Sequence, residues 1–189
     1  YMYRDRLTLL FQGADKIIGV SQSVVNLFKQ NEFSTQQVDV IYNGIEPKRV
    51  LCSNPRDIRA ELSAKNTDFV LLYIGSLIPR KSVHQLLYAL DKLKNDYQVK
   101  LAIVGSGCEE AKLTQLVNRL SLNDKVKFFS ATDKVSELYS SNADCFISVP
   151  SEEVFGLTLA EASIAKLAII TSNIPGIDEI YTDKENALL

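Results

Sequence analysis

The sequence lacks several features that would place it in a specialised class of protein. Its 189 residues contain no tryptophan, one methionine and one histidine, and its three cysteines lie far apart. Without a C-x-x-C pair, Cys52, Cys108 and Cys145 do not form a pattern typical of a disulfide framework or a zinc site. We interpret them as reduced thiols of a cytoplasmic protein. No set of histidine, cysteine and acidic residues has metal-ligand spacing, so no metal site is expected.

The charge balance and the hydropathy argue against a nucleic-acid-binding protein and against a membrane-spanning helix. The chain has 21 basic and 23 acidic side chains and a net charge of -2, without the basic excess expected of a nucleic-acid-binding protein. No apolar run approaches the ~20 residues that a membrane-spanning helix needs. The 46% content of hydrophobic residues is ordinary for a soluble globular protein and is enough for one core.

Short apolar runs alternate with amphipathic segments from residue 69 onward. The patterns predict strands over 69–74, 99–104, 125–129, 144–148 and 168–171, and helices over 81–95, 109–121, 133–141, 157–166 and near 176–181. This alternation is typical of right-handed βαβ units, and it predicts an α/β fold with a doubly wound, mostly parallel sheet. Ligands of such sheets bind beyond the carboxyl ends of the strands, so the loops there are the candidate site.

The first third of the chain contains the same kinds of element. The patterns predict helices over 1–13, 21–30 and 55–64 and strands over 16–20 and 38–41. Ser21 and Asn54 are the expected N-caps of the second and third helices, and Asn43-Gly44 is a turn signal. Taken by themselves, these segments are the first units of a compact α/β domain.

The loop after the 144–148 strand leads through Gly156 into a helix that begins at 157. The first N–H groups of a helix have no internal partner and carry partial positive charge, which favours an anion there. Glu153 and Glu161 stand on either side of this helix start, and a carboxylate suits a pair of sugar hydroxyls. Spacing alone favours two solvated acids near a helix start, because acids are common there.

Two other loops contain candidate ligand-binding residues. Arg80 and Lys81 follow the 69–74 strand and suit phosphate, although a solvated basic pair fits the same pattern. Gly105-Ser106-Gly107 follows the next strand but lacks the full G-x-G-x-x-G, so we expect no nicotinamide cofactor. His84 is expected to be structural, as a lone histidine within a helix most often is.

The spacing Glu153-x7-Glu161, with Phe155-Gly156 inside it, resembles the acidic signature of the group 1 (family four) retaining glycosyltransferases, which have the GT-B fold. The resemblance covers nearly the whole chain. It implies that Glu161 holds the ribose hydroxyls of a nucleotide sugar and that Glu153 contacts the donor sugar. It also implies that the amides of Gly156, Leu157 and Thr158 receive the diphosphate.

The other loops are similar to the family pattern, with departures at Ser76 and at Ser82, where a second glycine is usual. Gly75 and Lys81 match the family's glycine and lysine, but Ser76 stands where an arginine is usual, and Arg80 is its candidate substitute. Gly105 and Gly107 match a Gly-x-Gly. The resemblance therefore implies catalytic roles for Glu153, Lys81 and Arg80, and donor binding by Gly75, Ser76, Gly105, Gly107, Phe129, Ser130, Phe155, Gly156, Leu157, Thr158 and Glu161. Phe129 and Ser130 belong to the loop expected to hold the nucleobase, while Leu138 and Tyr139 are expected to pack in the core.

The resemblance also divides the chain. Residues 1–45 are expected to be the last unit of an acceptor-side domain, 46–66 a linker with a leading helix, and 67–189 a nucleotide-sugar-binding domain truncated at its C-terminus. The implied activity is sugar transfer from a nucleotide-diphosphate sugar with retention of configuration, without metal or cofactor. The acceptor, a carbohydrate or a lipid-linked carbohydrate of polysaccharide biosynthesis, would bind the missing domain, so the isolated chain is expected to be inactive.

This interpretation carries an expected location and leaves two alternatives open. The protein is expected in the cytoplasm. The resemblance is also compatible with peripheral association of the protein with the inner face of the membrane. One alternative is a non-catalytic nucleotide-sugar-binding subunit, which the serine at position 76 favours. The other is a different enzyme on a similar fold, either a sugar-nucleotide epimerase or a carbohydrate phosphorylase.

Overall fold

The computed structural model describes residue 11 and residues 14–31 and 38–189. The helix predicted over 1–13 lies outside the described residues, apart from Phe11. The first described unit pairs strand β1 (Ile17–Gly19) in parallel with β2 (Val38–Val40), and helix α1 (Gln22–Gln30) lies between them in sequence. The predicted N-cap is confirmed, because the hydroxyl of Ser21 accepts a hydrogen bond from the amide of Val24 at 3.4 Å.

A connecting segment follows, with a 3-10 helix (Pro47–Arg49) and the short helix α2 (Ile58–Glu61). The prediction of a helix over 55–64 capped by Asn54 is wrong at both ends. Asp57 is the cap, since its carboxylate accepts from the amide of Ala60 at 2.9 Å. The helix stops before Ser63 because that residue has a φ of 49°, outside helical geometry.

Five parallel strands form the main sheet. They are β3 (Phe69–Ile74), β4 (Val99–Val104), β5 (Val126–Phe129), β6 (Cys145–Ser148) and β7 (Ala168–Thr171). Their order in the sheet is β5-β4-β3-β6-β7, with every neighbouring pair parallel. The predicted α/β class and doubly wound, parallel sheet are confirmed.

Helices cover both faces of this sheet. They are α3 (Val83–Leu93), α4 (Glu110–Arg119), α5 (Val135–Tyr139) and α6 (Leu157–Ile164). Successive side chains of a strand point to opposite faces, so Leu72 packs with α5 and α6 while Tyr73 packs with α3 and α4. Both side chains have no exposed surface. None of the helices among the described residues is long and apolar enough to cross a membrane.

Two of the predicted helices differ from what the structure contains. The helix predicted over 81–95 is interrupted at Ser82, whose φ of 50° separates a 3-10 turn (Pro79–Lys81) from α3. Lys81 therefore lies in the loop and not on the helix. The segment near 176–181 forms turns instead of a helix, because Gly176 has a φ of 90° and its amide bonds to the side chain of Asp178.

The order of the strands places a crevice at the centre of the sheet. From β3 the chain moves outward through β4 to β5, and it then returns to the other side of β3 to form β6 and β7. The loops after β3 and β6 therefore leave neighbouring strands in opposite directions. In doubly wound folds, this reversal of strand order is where ligands bind.

Candidate functional site

An ion pair joins the two loops that border this crevice. The ammonium of Lys81 lies 2.5 Å from a carboxylate oxygen of Glu153. The pair is largely shielded from solvent, with 13% of the lysine side chain and 10% of the glutamate side chain exposed. Arg80 is nearer the surface, and its guanidinium lies 3.9 Å from the same oxygen. The three residues with implied catalytic roles are therefore in one place.

Backbone contacts fix the two loops against each other. The carbonyl of Arg80 accepts hydrogen bonds from both the amide and the hydroxyl of Ser151, at 2.9 and 3.2 Å. The second carboxylate oxygen of Glu153 accepts from the amide of Val154 at 3.1 Å. Burial acts to raise the pKa of Glu153, but the ammonium of Lys81 outweighs it and holds that pKa below its ordinary value. The carboxylate is therefore ionised at neutral pH.

The start of α6 adjoins this pair, since a Cβ atom on Gly156 would lie 3.8 Å from Cγ of Glu153. Gly156 precedes the helix with a φ of 81°, a conformation that glycine adopts without the strain a side chain would bring. No side chain of the described residues caps this end of the helix. The carbonyl of Gly156 accepts from the amides of Leu159 and Ala160, both at 3.0 Å. The helix start thus offers N–H groups and partial positive charge to an anion.

Glu161 lies one turn into α6 and is held by a residue that the sequence assigned only to the core. The hydroxyl of Tyr139 donates to the carboxylate of Glu161 at 2.8 Å. Burial, followed by the charge of Glu161, raises the pKa of Tyr139 well above its ordinary value, so the hydroxyl stays a donor. The expected burial of Tyr139 is confirmed at 1% exposure. No sequence signal links two residues 22 positions apart.

Glycines allow the loops after β3 and β4 to touch. A Cβ atom on Gly105 would lie 1.9 Å from the carbonyl oxygen of Gly75, and one on Gly107 would lie 2.3 Å from that of Leu77. Neither distance is sterically allowed, so both positions need glycine. Below this contact the hydroxyl of Tyr73 donates to the carbonyl of Ser76 at 3.0 Å. Tyr73 is a second supporting residue that sequence reasoning missed.

A cleft of about 200 Å³ opens beyond the carboxyl ends of β3, β4 and β5. It is lined by Ile74, Gly75, Ser76, Val104, Gly105, Ser106, Ala131 and Thr132. Three residues with implied donor-binding roles are therefore brought together, namely Gly75, Ser76 and Gly105. Ser130, which has the same implied role, is adjacent to Ala131 in sequence. Gly107 is not among the lining residues.

Phe129 is placed differently from its neighbours in this loop. The guanidinium carbon of Arg56 lies 4.9 Å from the centre of its ring, and the ammonium of Lys127 lies 5.4 Å from it. The carbonyl of Phe129 accepts from the amide of Gly105 at 3.0 Å. Two cations contact the ring of Phe129, and its backbone carbonyl binds the loop after β4. The residues of this loop that line the cleft are instead Ala131 and Thr132.

The remaining candidate residues lie outside this arrangement. His84 is on α3, with its ring 6.3 Å from that of Tyr88. Cys52, Cys108 and Cys145 are free thiols. Within the described residues no three histidine, cysteine or acidic side chains form a group that could hold a metal ion.

Comparison with known proteins identifies the family. The sequence model of the family described as "Glycosyl transferases group 1" matches residues 54–189, well over half of the chain. The chain belongs to the group 1 glycosyltransferases. The family resemblance carried by Glu153, Phe155-Gly156 and Glu161 is thereby confirmed.

Curated relatives of the chain are glycosyltransferases as well. An uncharacterized glycosyltransferase of Haemophilus influenzae is 32% identical over 93% of this chain and 47% of its own length. The N-acetyl-alpha-D-glucosaminyl L-malate synthase of Bacillus anthracis is 26% identical over 93% of this chain and 46% of its own. The chain thus spans about half the length of the curated relatives that it matches.

Solved structures show the same architecture. HepE of Anabaena, in a complex with UDP and glucose, superimposes with a TM-score of 0.87 at 26% identity, covering 98% of this chain and 52% of that one. WaaG, a glycosyltransferase involved in lipopolysaccharide biosynthesis, gives a TM-score of 0.74 at 27% identity, over 89% of this chain and 47% of its own. The sheet described above is a Rossmann-like domain of the GT-B fold.

Proposed function

We propose that this chain supplies the nucleotide-sugar-binding half of a metal-independent, retaining glycosyltransferase. The observation that carries the proposal is the meeting of Lys81 and Glu153 beside the uncapped start of α6. Cationic groups for a diphosphate and a carboxylate for sugar hydroxyls lie together there. The crevice in which they meet is the ligand position of doubly wound sheets.

Each group has a role in this proposal. The diphosphate lies on the amides of Gly156, Leu157 and Thr158, with Lys81 and Arg80 on its other side. Glu153, ionised and held by Lys81, accepts hydrogen bonds from the donor sugar. Glu161 accepts from the ribose hydroxyls, and Tyr139 keeps its carboxylate in place. Backbone groups lining the cleft after β3, β4 and β5 hold the nucleobase.

In the proposed reaction the bond between the anomeric carbon and the diphosphate oxygen breaks, and its electron pair stays on the diphosphate. The cations and the amides at the start of α6 stabilise this charge, and removal of one such donor typically lowers kcat by about 10²–10³-fold. An acceptor hydroxyl forms the new bond on the face that the diphosphate leaves, which retains the configuration. Its proton passes to a diphosphate oxygen.

We place the acceptor site in the remaining half of the full-length protein, because the chain covers only about half of its relatives. UDP-glucose is the first donor to test, since a structural neighbour was solved with UDP and glucose. Relatives in O-antigen biosynthesis and lipopolysaccharide biosynthesis favour a carbohydrate or lipid-linked acceptor. We also propose peripheral association of the full-length protein with the inner face of the membrane. The catalytic chemistry itself would then be cytoplasmic.

Isothermal titration of the chain with UDP, ADP, UDP-glucose and related sugar nucleotides tests the proposal. We expect weak binding of one nucleotide class without sugar transfer, and loss of binding in Glu161→Ala. Glu185→Ala, a change at an exposed acid outside the proposed site, is the control. Equal affinity in the two variants, or efficient transfer by the isolated chain, would contradict the proposal.

A non-catalytic nucleotide-sugar-binding subunit is the second candidate, and Ser76 favours it. This exposed serine offers no cation where the family arginine usually stands. The two candidates differ in the full-length protein. Loss of transfer in a folded Glu161→Ala variant supports the enzyme, whereas absence of transfer by an unaltered full-length protein that still binds the nucleotide sugar supports the subunit.

A further inference from the structure

The carboxylate of Glu179, in the turns after β7, binds the start of helix α1. The amides of Gln22 and Ser23 donate to its two oxygens, each at 2.7 Å. The hydroxyl of Tyr42 donates to one of the same oxygens at 3.0 Å. One acid from the end of the chain therefore joins two segments that lie more than 130 positions earlier in sequence.

The ring of Tyr42 continues this connection toward the proposed diphosphate site. It lies 6.2 Å from the ring of Phe155, with the two planes tilted by 39°. Aromatic pairs at this separation attract each other. Phe155 is buried and immediately precedes Gly156, so the position of its ring helps to set the backbone that opens α6.

A second contact reaches the same loop from the side of Glu179. A Cβ atom on Gly176 would lie 2.7 Å from the carbonyl oxygen of Glu153 and 3.0 Å from that of Val154. The backbone before Glu179 is thus packed directly on the backbone after β6. Movement of the Glu179 loop would be transmitted to the Glu153 loop, because no space separates them.

The three hydrogen bonds donated to Glu179 favour its ionised form. Burial acts to raise the pKa of Glu179, but the amides of Gln22 and Ser23 and the hydroxyl of Tyr42 together hold it below its ordinary value. At neutral pH the acid is charged and lies against the positive end of the α1 dipole. The connection is therefore intact under ordinary conditions.

We propose that Tyr42 and Glu179 are positioning residues, which hold the Phe155-Gly156 turn in the geometry that receives the diphosphate. The inference rests on the proposed function, because it assigns the same helix start to the diphosphate. Neither residue touches the reacting atoms. Their effect passes through Phe155 on one side and through the backbone of Gly176 on the other.

Hydrogen exchange tests this without any nucleotide. The amides of Leu159 and Ala160 bond to the carbonyl of Gly156, so their protection reports the order of the turn. We expect Glu179→Ala to raise the exchange rates of these two α6 amides by about fivefold, which is the size of effect typical of one lost helix-cap contact. The exchange rates of the β4 amides should stay unchanged. Glu185→Ala is the control for the lost acid.

The hydroxyl and the ring of Tyr42 are separated by Tyr42→Phe, with Tyr97→Phe as control for an exposed tyrosine. We expect both Glu179→Ala and Tyr42→Phe to weaken UDP binding by about three- to tenfold and to leave uridine binding within about twofold, because only UDP uses the helix start.

The possible outcomes separate the positioning role of Tyr42 and Glu179 from the proposed function. Unchanged exchange at Leu159 and Ala160, or exchange raised equally throughout the sheet, overturns the positioning role. Equal weakening of UDP and uridine overturns it too. Absence of UDP binding in the unaltered chain refutes the proposed function instead, and the exchange rates then still show whether Glu179 orders the turn.

Discussion

Replacing Lys81 by methionine removes the ammonium that faces Glu153, and we expect this change to destabilise the fold at neutral pH. Methionine keeps most of the length and apolar surface of the lysine. The change therefore isolates the charge, and it leaves a carboxylate of which only 10% is exposed.

The expected magnitude follows from this burial. Removing one partner of a buried ion pair typically costs ~3–5 kcal/mol. Here the cost is lower, since Arg80 lies 3.9 Å away and the amide of Val154 still donates to the carboxylate. We expect a loss of about 2–3 kcal/mol in the free energy of unfolding.

The pH dependence follows from the direction of the shift. The folded-state pKa of Glu153 lies below its ordinary value, so its contribution to stability is present above the unfolded pKa of about 4.3. That contribution is lost as the pH falls through the folded pKa. In Lys81→Met the lone buried acid has a raised pKa and becomes neutral as the pH falls toward about 4, so the difference in stability between the two proteins is smaller at pH 4 than at pH 7.

Urea denaturation at pH 7 and at pH 4 measures both effects. Lys92→Met, on the exposed side of α3, is the matched control and should stay within about 0.5 kcal/mol of the unaltered chain. The double variant Lys81→Met with Glu153→Gln should recover most of the loss, since no unpaired charge remains. A loss under about 0.5 kcal/mol at pH 7, or a loss at pH 4 equal to that at pH 7, would show that Lys81 does not stabilise the buried charge of Glu153.

Two further changes test the supports of the site. Gly105→Ala places a Cβ 1.9 Å from the carbonyl of Gly75, so we expect a loss of about 2 kcal/mol or more and weaker nucleotide binding. Thermal unfolding and titration measure these effects. Gly44→Ala, where nothing lies within 4 Å, is the control, and a similar small effect of both changes would argue against the loop contact. Tyr139→Phe removes the donor to Glu161 without leaving a cavity, and we expect about 1 kcal/mol of lost stability with about three- to tenfold weaker UDP binding. Unchanged affinity for UDP would separate Tyr139 from the site.

Much of the fold could be predicted because the strands of a doubly wound sheet are buried on both faces. Segments such as Phe69–Ile74 and Val99–Val104 are continuous apolar runs, and their periodic alternation with helices leaves few topologies. Boundaries were less predictable. Asp57 caps α2 where Asn54 was expected, and the positive φ at Ser82 separates Lys81 from α3. In both places the local backbone conformation sets where the helix begins, and the pattern of apolar residues does not specify that conformation.

The sequence indicated the residues of the candidate site more readily than their connections. Lys81, Glu153 and Glu161 lie in loops or at a helix start where such residues suit a ligand, and the family signature drew attention to them. The contacts from Tyr139 to Glu161 and from Tyr42 to Glu179 arise only when the strand order brings distant segments together. No periodicity or motif in the chain encodes them.

The proposed function requires a diphosphate to bind the peptide nitrogens at the start of α6. Amide ¹⁵N NMR of the chain during titration with UDP tests it most directly. We expect the largest changes in amide chemical shift at Gly156, Leu157 and Thr158, with smaller changes in the cleft at Gly105. Saturable UDP binding that leaves those three amides unshifted would contradict it.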